Sequence, residues 1–187
     1  MNFTRYMNSQ LYAMNGDTLA IGEQHSGYGN AETMDLSNSD YNCDVNKLQP
    51  NGKRYDSIRM CEILEHLTND YDALQAVRIM LKDDGLLLVT VPYNGIAPYH
   101  VRLHNKWSIT QLLAAAGFAV ETYMPRKAPR LDRFIAGLRF VFGQCVNGLF
   151  FKLNAYLPIK PNGGYFYCRK AEPLDIYAIN KTEFANG

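Results

Sequence analysis

The chain has 187 residues, 47% of them hydrophobic and 20% charged, with a formal net charge of +1. That composition excludes a disordered polymer, and one domain of this length buries roughly 70% of its unfolded surface. The near-neutral charge shows no basic stripe, so no nucleic-acid partner is expected.

Cys43, Cys61, Cys145 and Cys168 have no CxxC spacing, which speaks against a zinc cluster or a disulfide framework. The N-terminus lacks a basic region followed by an uninterrupted apolar core, so no secretory signal is expected and a reducing cytosol is the default compartment. Residues 1–16 are a mixed polar and aromatic lead-in. Tyr6, Met7, Leu11, Tyr12 and Met14 would line one side of a short packing helix. Asp17–Gly22 (DTLAIG) reads as a first strand running into a glycine turn, and Glu32–Leu36 (ETMDL) as a second strand ending in an acid. Only eight residues separate Gly22 from Ala31, whereas a helical crossover needs roughly ten to twelve or more. The first helix is therefore expected to be missing or reduced. Gly22, Gly27 and Gly29 would either offer backbone amides to a small anion or simply make a tight surface loop.

In NCDVNKL, Asp44 reads as a polar ligand contact or as a turn or helix cap. Ser57–Met60 is a short, mostly apolar strand. Asp72–Leu81 is a helix with apolar residues at Leu74, Val77, Ile79 and Leu81, and Leu86–Val91 is a strand covered on both faces. CEILEHL clusters Glu62, Glu65 and His66 just beyond a strand, at the carboxyl edge where open α/β sheets hold ligands. Tyr93, Tyr99 and His100 follow the next strand. His100 and His104 are four apart, but Pro98 and the lack of an acid partner place them on a loop, and no metal site is expected. Ser108 is expected to cap a helix bearing Ile109, Leu112 and Leu113, Gly117 to close it, and Val120–Tyr123 to form a strand. Arg126–Leu157 is basic and then apolar, interrupted by Arg139, Gln144, Asn147 and Lys152. It reads as a lid or packing insertion, with peripheral membrane contact through 134–157 as the alternative. In PNGGYFYCRK the Asn-Gly-Gly run signals a hairpin turn before a last strand, and 171–187 is a tail without periodicity.

Tyr55–Pro92, with CEILEHL, RIMLKDDG and LLLVTVP in that order, strongly resembles the second half of class I S-adenosylmethionine-dependent methyltransferases of the type 11-like kind. The resemblance extends from about Asp17 to Lys170. It implies a Rossmann-like, mostly parallel twisted α/β sheet with helices on both faces, an antiparallel edge strand and a shortened first crossover. The domain would run over 17–170, with 126–157 inserted as a lid.

The resemblance also implies S-adenosylmethionine as cofactor. Gly22, Glu23 and Gly27 would lie in its glycine loop, Asp35 and Leu36 at the ribose, Asp44 and Val45 at the adenine, and Glu62 beside them, with Tyr41 a further stacking candidate. His66 or Glu65 would take a proton, or would only line the pocket, and Tyr93, Tyr99 and His100 would meet the substrate. The methyl acceptor would be a hydroxyl or amine of a small molecule, glycan or lipid-linked intermediate. A catalytically silent relative kept as a binding or assembly module is the alternative. Nicotinamide chemistry is disfavoured because no G-x-G-x-x-G opens a helix after the first strand.

Overall fold

Leu19, Ala20 and Ile21 are successive residues of one strand and all three are fully buried, so both faces of the sheet are covered at its centre. In the computed structural model, residues 16–23, 31–93, 98–126 and 161–175 are described. The expected N-terminal arm, Gly27 with most of the glycine loop, the 126–157 insertion beyond Arg126 and the tail beyond Asp175 fall outside them.

Among the described residues there are seven strands: β1 (Thr18–Ile21), β2 (Glu32–Asp35), β3 (Tyr41–Asn42), β4 (Tyr55–Cys61), β5 (Leu81–Pro92), β6 (Phe118–Arg126) and β7 (Gly163–Lys170). They form one sheet in the order β3-β2-β1-β4-β5-β7-β6. β1 to β5 pair in parallel, with Ile21 opposite Met34 on one side and Met60 on the other. β7 runs antiparallel to both β5 and β6 and lies between them, so the antiparallel strand comes at this end of the sheet with β6 outside it.

The helix α1 (Asp70–Met80) buries Ala73, Leu74, Ala76, Val77 and Met80, a stripe at helical spacing. Asp70 and Asp72 in its first turn and Arg78 in its last suit the helix dipole. Ile79, another apolar residue of this stretch, is 58% exposed. Leu81 begins β5 directly, earlier than Leu86, and the pairing jumps from Tyr55↔Leu81 to Ser57↔Leu86, so Lys82–Gly85 form an irregularity within the strand. The helix α2 (Lys106–Ala115) is capped by Asn105, with Ser108 one turn in. The Asn105 side chain accepts from Ser108 N–H at 2.9 Å, and the Ser108 hydroxyl accepts from Asn105 N–H at 3.0 Å. Gly117, at φ +83°, closes this helix as expected.

The Asn-Gly-Gly run does not form the expected turn, because Gly163 and Gly164 are already strand residues of β7. A Cβ on Gly163 would lie 2.7 Å from the Arg126 guanidinium, and one on Gly164 would lie 2.5 Å from the Tyr93 hydroxyl. These glycines make room for side chains arriving from β5 and β6.

One charged pair is buried at the sheet centre. Arg59 of β4, in register with Ala20, donates from Nε to Glu23 Oε1 at 3.1 Å and from Nη2 to Oε2 at 2.9 Å, with both side chains 6% exposed. This bidentate geometry matches guanidinium to carboxylate and satisfies both groups in a dry site. Glu23→Ala, which strands the guanidinium, is expected to cost about 3–5 kcal/mol in urea unfolding. The double replacement Glu23→Leu with Arg59→Met should recover most of that, whereas a Glu23 facing solvent would lose under about 0.5 kcal/mol. Asn105→Ala is expected to cost about 1 kcal/mol through the lost cap, read from the same midpoint shift at unchanged slope.

Candidate functional site

The chain runs outward from β1 through β2 to β3, then returns to build β4 on the other side of β1. The crevice beyond the carboxyl ends of β1 and β4 is therefore the switch point where open α/β sheets bind ligands. Glu23, Asp35, Glu62 and the turn over Leu64–His66 all gather at this edge.

The part of the edge between β1 and β4 is committed to internal contacts. Gly22 sits at φ +78° and donates its N–H to Met34 O at 2.7 Å, and a Cβ there would strike the Ile63 side chain at 2.7 Å. The glycine at this position thus serves the approach of Ile63. Glu23, expected in the cofactor loop, has both carboxylate oxygens on Arg59. Glu62 occupies the left-handed region at φ 54°, uncommon for a residue with a side chain. Its N–H points to Thr90 O at 3.0 Å, its Oε1 accepts the Thr90 hydroxyl at 3.0 Å, and Arg126 Nη1 lies 2.9 Å from the same oxygen. Glu62 is held as a link between β4, β5 and β6. Val45, expected against adenine, is 5% exposed and belongs to the hydrophobic core. Tyr41 directs its hydroxyl to Glu32 Oε2 at 2.7 Å, at the amino end of β2 and so away from this edge.

The end of β2 is different. Asp35 is half-buried, and its Oδ1 accepts Leu36 N–H at 2.6 Å. Leu36 beside it is 68% exposed. Cys43 N–H donates to Asp35 O at 2.8 Å, bringing Asp44 to the same corner. Burial raises the Cys43 thiol pKa, and the Asp44 and Asp35 charges raise it further. Asp44 caps the short 3₁₀ turn Val45–Lys47 by accepting Asn46 N–H at 3.0 Å. Two carboxylates form the acceptor set that an adenosine diol and amino group require, and an exposed apolar side chain lies beside them. These acceptors fit the adenosine half of S-adenosylmethionine. Gly27, expected to help at its methionine end, lies outside the described residues.

The turn Leu64–His66 and the loop 98–102 form the third part of the edge. Val101 N–H and Arg102 N–H both donate to Glu65 O, at 2.9 and 3.2 Å, and Arg102 Nε pairs with Asp70 at 2.9 Å. Pinned in this way, the loop sets His100 against His66, with ring centroids 4.8 Å apart and planes at 78°. His66 Nε2 lies 3.8 Å from Glu65 Oε1, and the Glu65 side chain is 2% exposed. Tyr99 contributes its carbonyl, 3.0 Å from His66 Nδ1, while its ring stands 78% exposed. Tyr93 is set apart from this cluster, since its hydroxyl donates to Tyr123 at 3.2 Å and burial pushes the phenol pKa up. His104 is not paired with His100. It is buried, with a hydrogen bond to the Leu64 backbone, and burial holds its pKa below the usual histidine value.

Arg59, Thr90 and Arg126 organise this edge and escaped the sequence reading. An arginine inside an otherwise apolar strand such as SIRMC is the one signal that a buried acid partner had to exist.

No family model and no curated protein matches the chain. Solved structures do. The 1,6-didemethyltoxoflavin N1-methyltransferase of Burkholderia thailandensis, with bound 1,6-didemethyltoxoflavin and S-adenosylhomocysteine, aligns with a TM-score of 0.61 at 16% identity over 90% of this chain and 80% of that one. The O-methyltransferase of a trans-AT polyketide synthase multienzyme from Brevibacillus brevis, in complex with S-adenosylhomocysteine, aligns at 0.58 and 13% identity over 90% and 73% of the two chains. The [4+2]-cyclase SpnF aligns at 0.57 and 14% identity over 89% and 79%. With its switch point between β1 and β4 and its antiparallel β7, this chain has the Rossmann-like fold of class I S-adenosylmethionine-dependent methyltransferases.

Proposed function

We propose that this chain is an S-adenosylmethionine-dependent methyltransferase acting on a hydroxyl or amine of a small molecule. The observation that carries the reading is Asp35, a half-buried carboxylate at the end of β2 beside exposed Leu36. An acid in that place is suited to accept both ribose hydroxyls of a nucleoside cofactor, and Asp44 stands at the same corner for the adenine amino group. The fold is shared with O- and N-methyltransferases crystallised with S-adenosylhomocysteine, which supports the same cofactor here.

When bound, the cofactor supplies an activated methyl group on a sulfonium, whose transfer needs little beyond alignment and exclusion of water. Glu65, His66 and His100 lie at the carboxyl edge beyond β4, where the acceptor would have to approach. We assign loss of the acceptor's proton to Glu65 and His66, and its orientation to His100. Tyr99, Val101 and Leu103 on the same loop are 78%, 56% and 64% exposed, a surface suited to an acceptor with an apolar body. Glycan and lipid-linked acceptors remain within the proposed range, and the cytoplasm is the proposed compartment.

A second reading has its own support. Gly22, Glu23 and Glu62 serve internal packing, and one neighbour in this fold is a cyclase, so the sheet would also serve as a binding module without methyl transfer.

Calorimetric titration with S-adenosylmethionine and S-adenosylhomocysteine, with ATP as control, separates the two readings. Saturable binding of both sulfur compounds is expected. Asp35→Ala should weaken it by at least tenfold, since a hydrogen bond to a charged group is worth about 1.5–3 kcal/mol. No binding to the folded protein, or equal binding by Asp35→Ala, would move the assignment to the binding module.

A further inference from the structure

We propose that Glu65, His66 and His100 form a binding site for a divalent transition-metal ion. One ligand atom from each lies within 4.8 Å of the other two. Bonds of about 2.0–2.2 Å put adjacent ligands about 3–3.5 Å apart, so small side-chain rotations bring all three to coordinating distance. The set is two imidazoles and one carboxylate, which leaves coordination positions for substrate or water and favours transition metals over magnesium or calcium.

Hydrogen bonding around His66 points the same way. A carbonyl can only accept, so the 3.0 Å contact between His66 Nδ1 and Tyr99 O puts the ring proton on Nδ1. In the neutral ring Nε2 then carries the lone pair, and it lies 3.8 Å from Glu65 Oε1. A cation placed between these two atoms would be coordinated by both. A histidine whose far nitrogen donates to a backbone carbonyl is the arrangement that orients and strengthens metal-ligating imidazoles.

The backbone holds the second imidazole with equal definition. The N–H groups of Val101 and Arg102 clamp the His100 loop to Glu65 O, and the Arg102–Asp70 ion pair fixes the next residue. Glu65 is 2% exposed, so its charge sits where a cation is attracted with little screening by solvent.

The ion's role rests on the methyl-transfer reading, although its binding does not. With the ion bound, Glu65 and His66 serve as its ligands instead of as the base, and an acceptor hydroxyl coordinated at the open position would lose its proton to solvent at a lowered pKa. The resulting oxyanion would attack the methyl carbon as the carbon–sulfur bond breaks, leaving a neutral thioether. The site therefore selects an oxygen acceptor over an amine, and one with a neighbouring oxygen that can chelate.

The test uses the whole chain, stripped with EDTA and free of any S-adenosyl compound, titrated with Co²⁺ by visible absorption and with Zn²⁺ by calorimetry. One ion per chain is expected, with the d–d bands of a nitrogen- and oxygen-ligated Co²⁺. His66→Ala, His100→Asn and Glu65→Gln should each weaken binding at least tenfold. His100 lies on a half-exposed loop, so its variant retains the near-UV circular dichroism of the parent even if Glu65→Gln does not. Failure to take up one ion per chain, or undiminished affinity in folded His100→Asn, overturns the proposal and leaves a plain His66–Glu65 contact. Because these titrations contain no cofactor, they fail or succeed independently of the calorimetry with S-adenosylmethionine.

Discussion

Parallel pairing of β1 with β4, where the chain reverses its direction of growth across the sheet, fixes the position of everything functional in this molecule. Because β1 to β5 all point the same way, their carboxyl ends open on one edge, and the residues that follow them meet there without any long-range design in the loops. The buried Arg59–Glu23 pair sits beneath that edge and ties the residue after β1 to the centre of β4. Its two hydrogen bonds make the pair specific as well as strong, since a one-residue slip of β4 would turn Arg59 to the opposite face.

The edge divides into regions with different physical roles. Between β1 and β4, every charged group has an internal partner, and Glu62 is forced into left-handed backbone so that its carboxylate can meet Thr90 and Arg126. Gly163 has no side chain because the Arg126 guanidinium passes through the space one would fill. Strained backbone and a buried ion pair persist only where the surroundings over-determine them, so this region is a rigid wall. On either side of it lie groups without a role in that wall: half-buried Asp35 with exposed Leu36 beyond β2, and buried Glu65 with the two half-buried histidines beyond β4. A cofactor lying along the wall would have its nucleoside at the first and its reactive end toward the second, and methyl transfer requires that separation of binding from chemistry.

Elements with strong periodicity were legible in the sequence. The apolar run LLLVTV, the stripe on α1 and the acid closing β2 all follow from one face or two faces being buried, and the structure realises them. Ile79 points outward although it is apolar, because one apolar residue in a helix carries no information about which way it points. Asn105 displaced Ser108 as the cap because reciprocal hydrogen bonds use both side chains, and only the position of the chain entering the helix decides which comes first. The Asn-Gly-Gly run became strand rather than turn because the tertiary demand of Arg126 and Tyr93 for space overrode the local turn signal. In the site, Asp35 could be placed from the strand it ends, and Glu65 with His66 from the turn after β4. The roles of Glu23 and Glu62 could not, since their partners Arg59, Thr90 and Arg126 stand 36, 28 and 64 positions away along the chain. The meeting of His100 with His66 likewise depends on backbone hydrogen bonds from a loop to Glu65 O, and no residue pattern encodes these.

A crystal structure of the protein with S-adenosylhomocysteine tests the central claim most directly, because that claim concerns position. The account predicts ribose hydroxyls within hydrogen-bonding distance of Asp35, the adenine along Leu36 near Asp44, and the sulfur facing Glu65, His66 and His100. The Arg59–Glu23 and Arg126–Glu62 pairs should be unchanged. Adenosine bound elsewhere on the molecule, or a ligand that enters only by breaking those pairs, would contradict it.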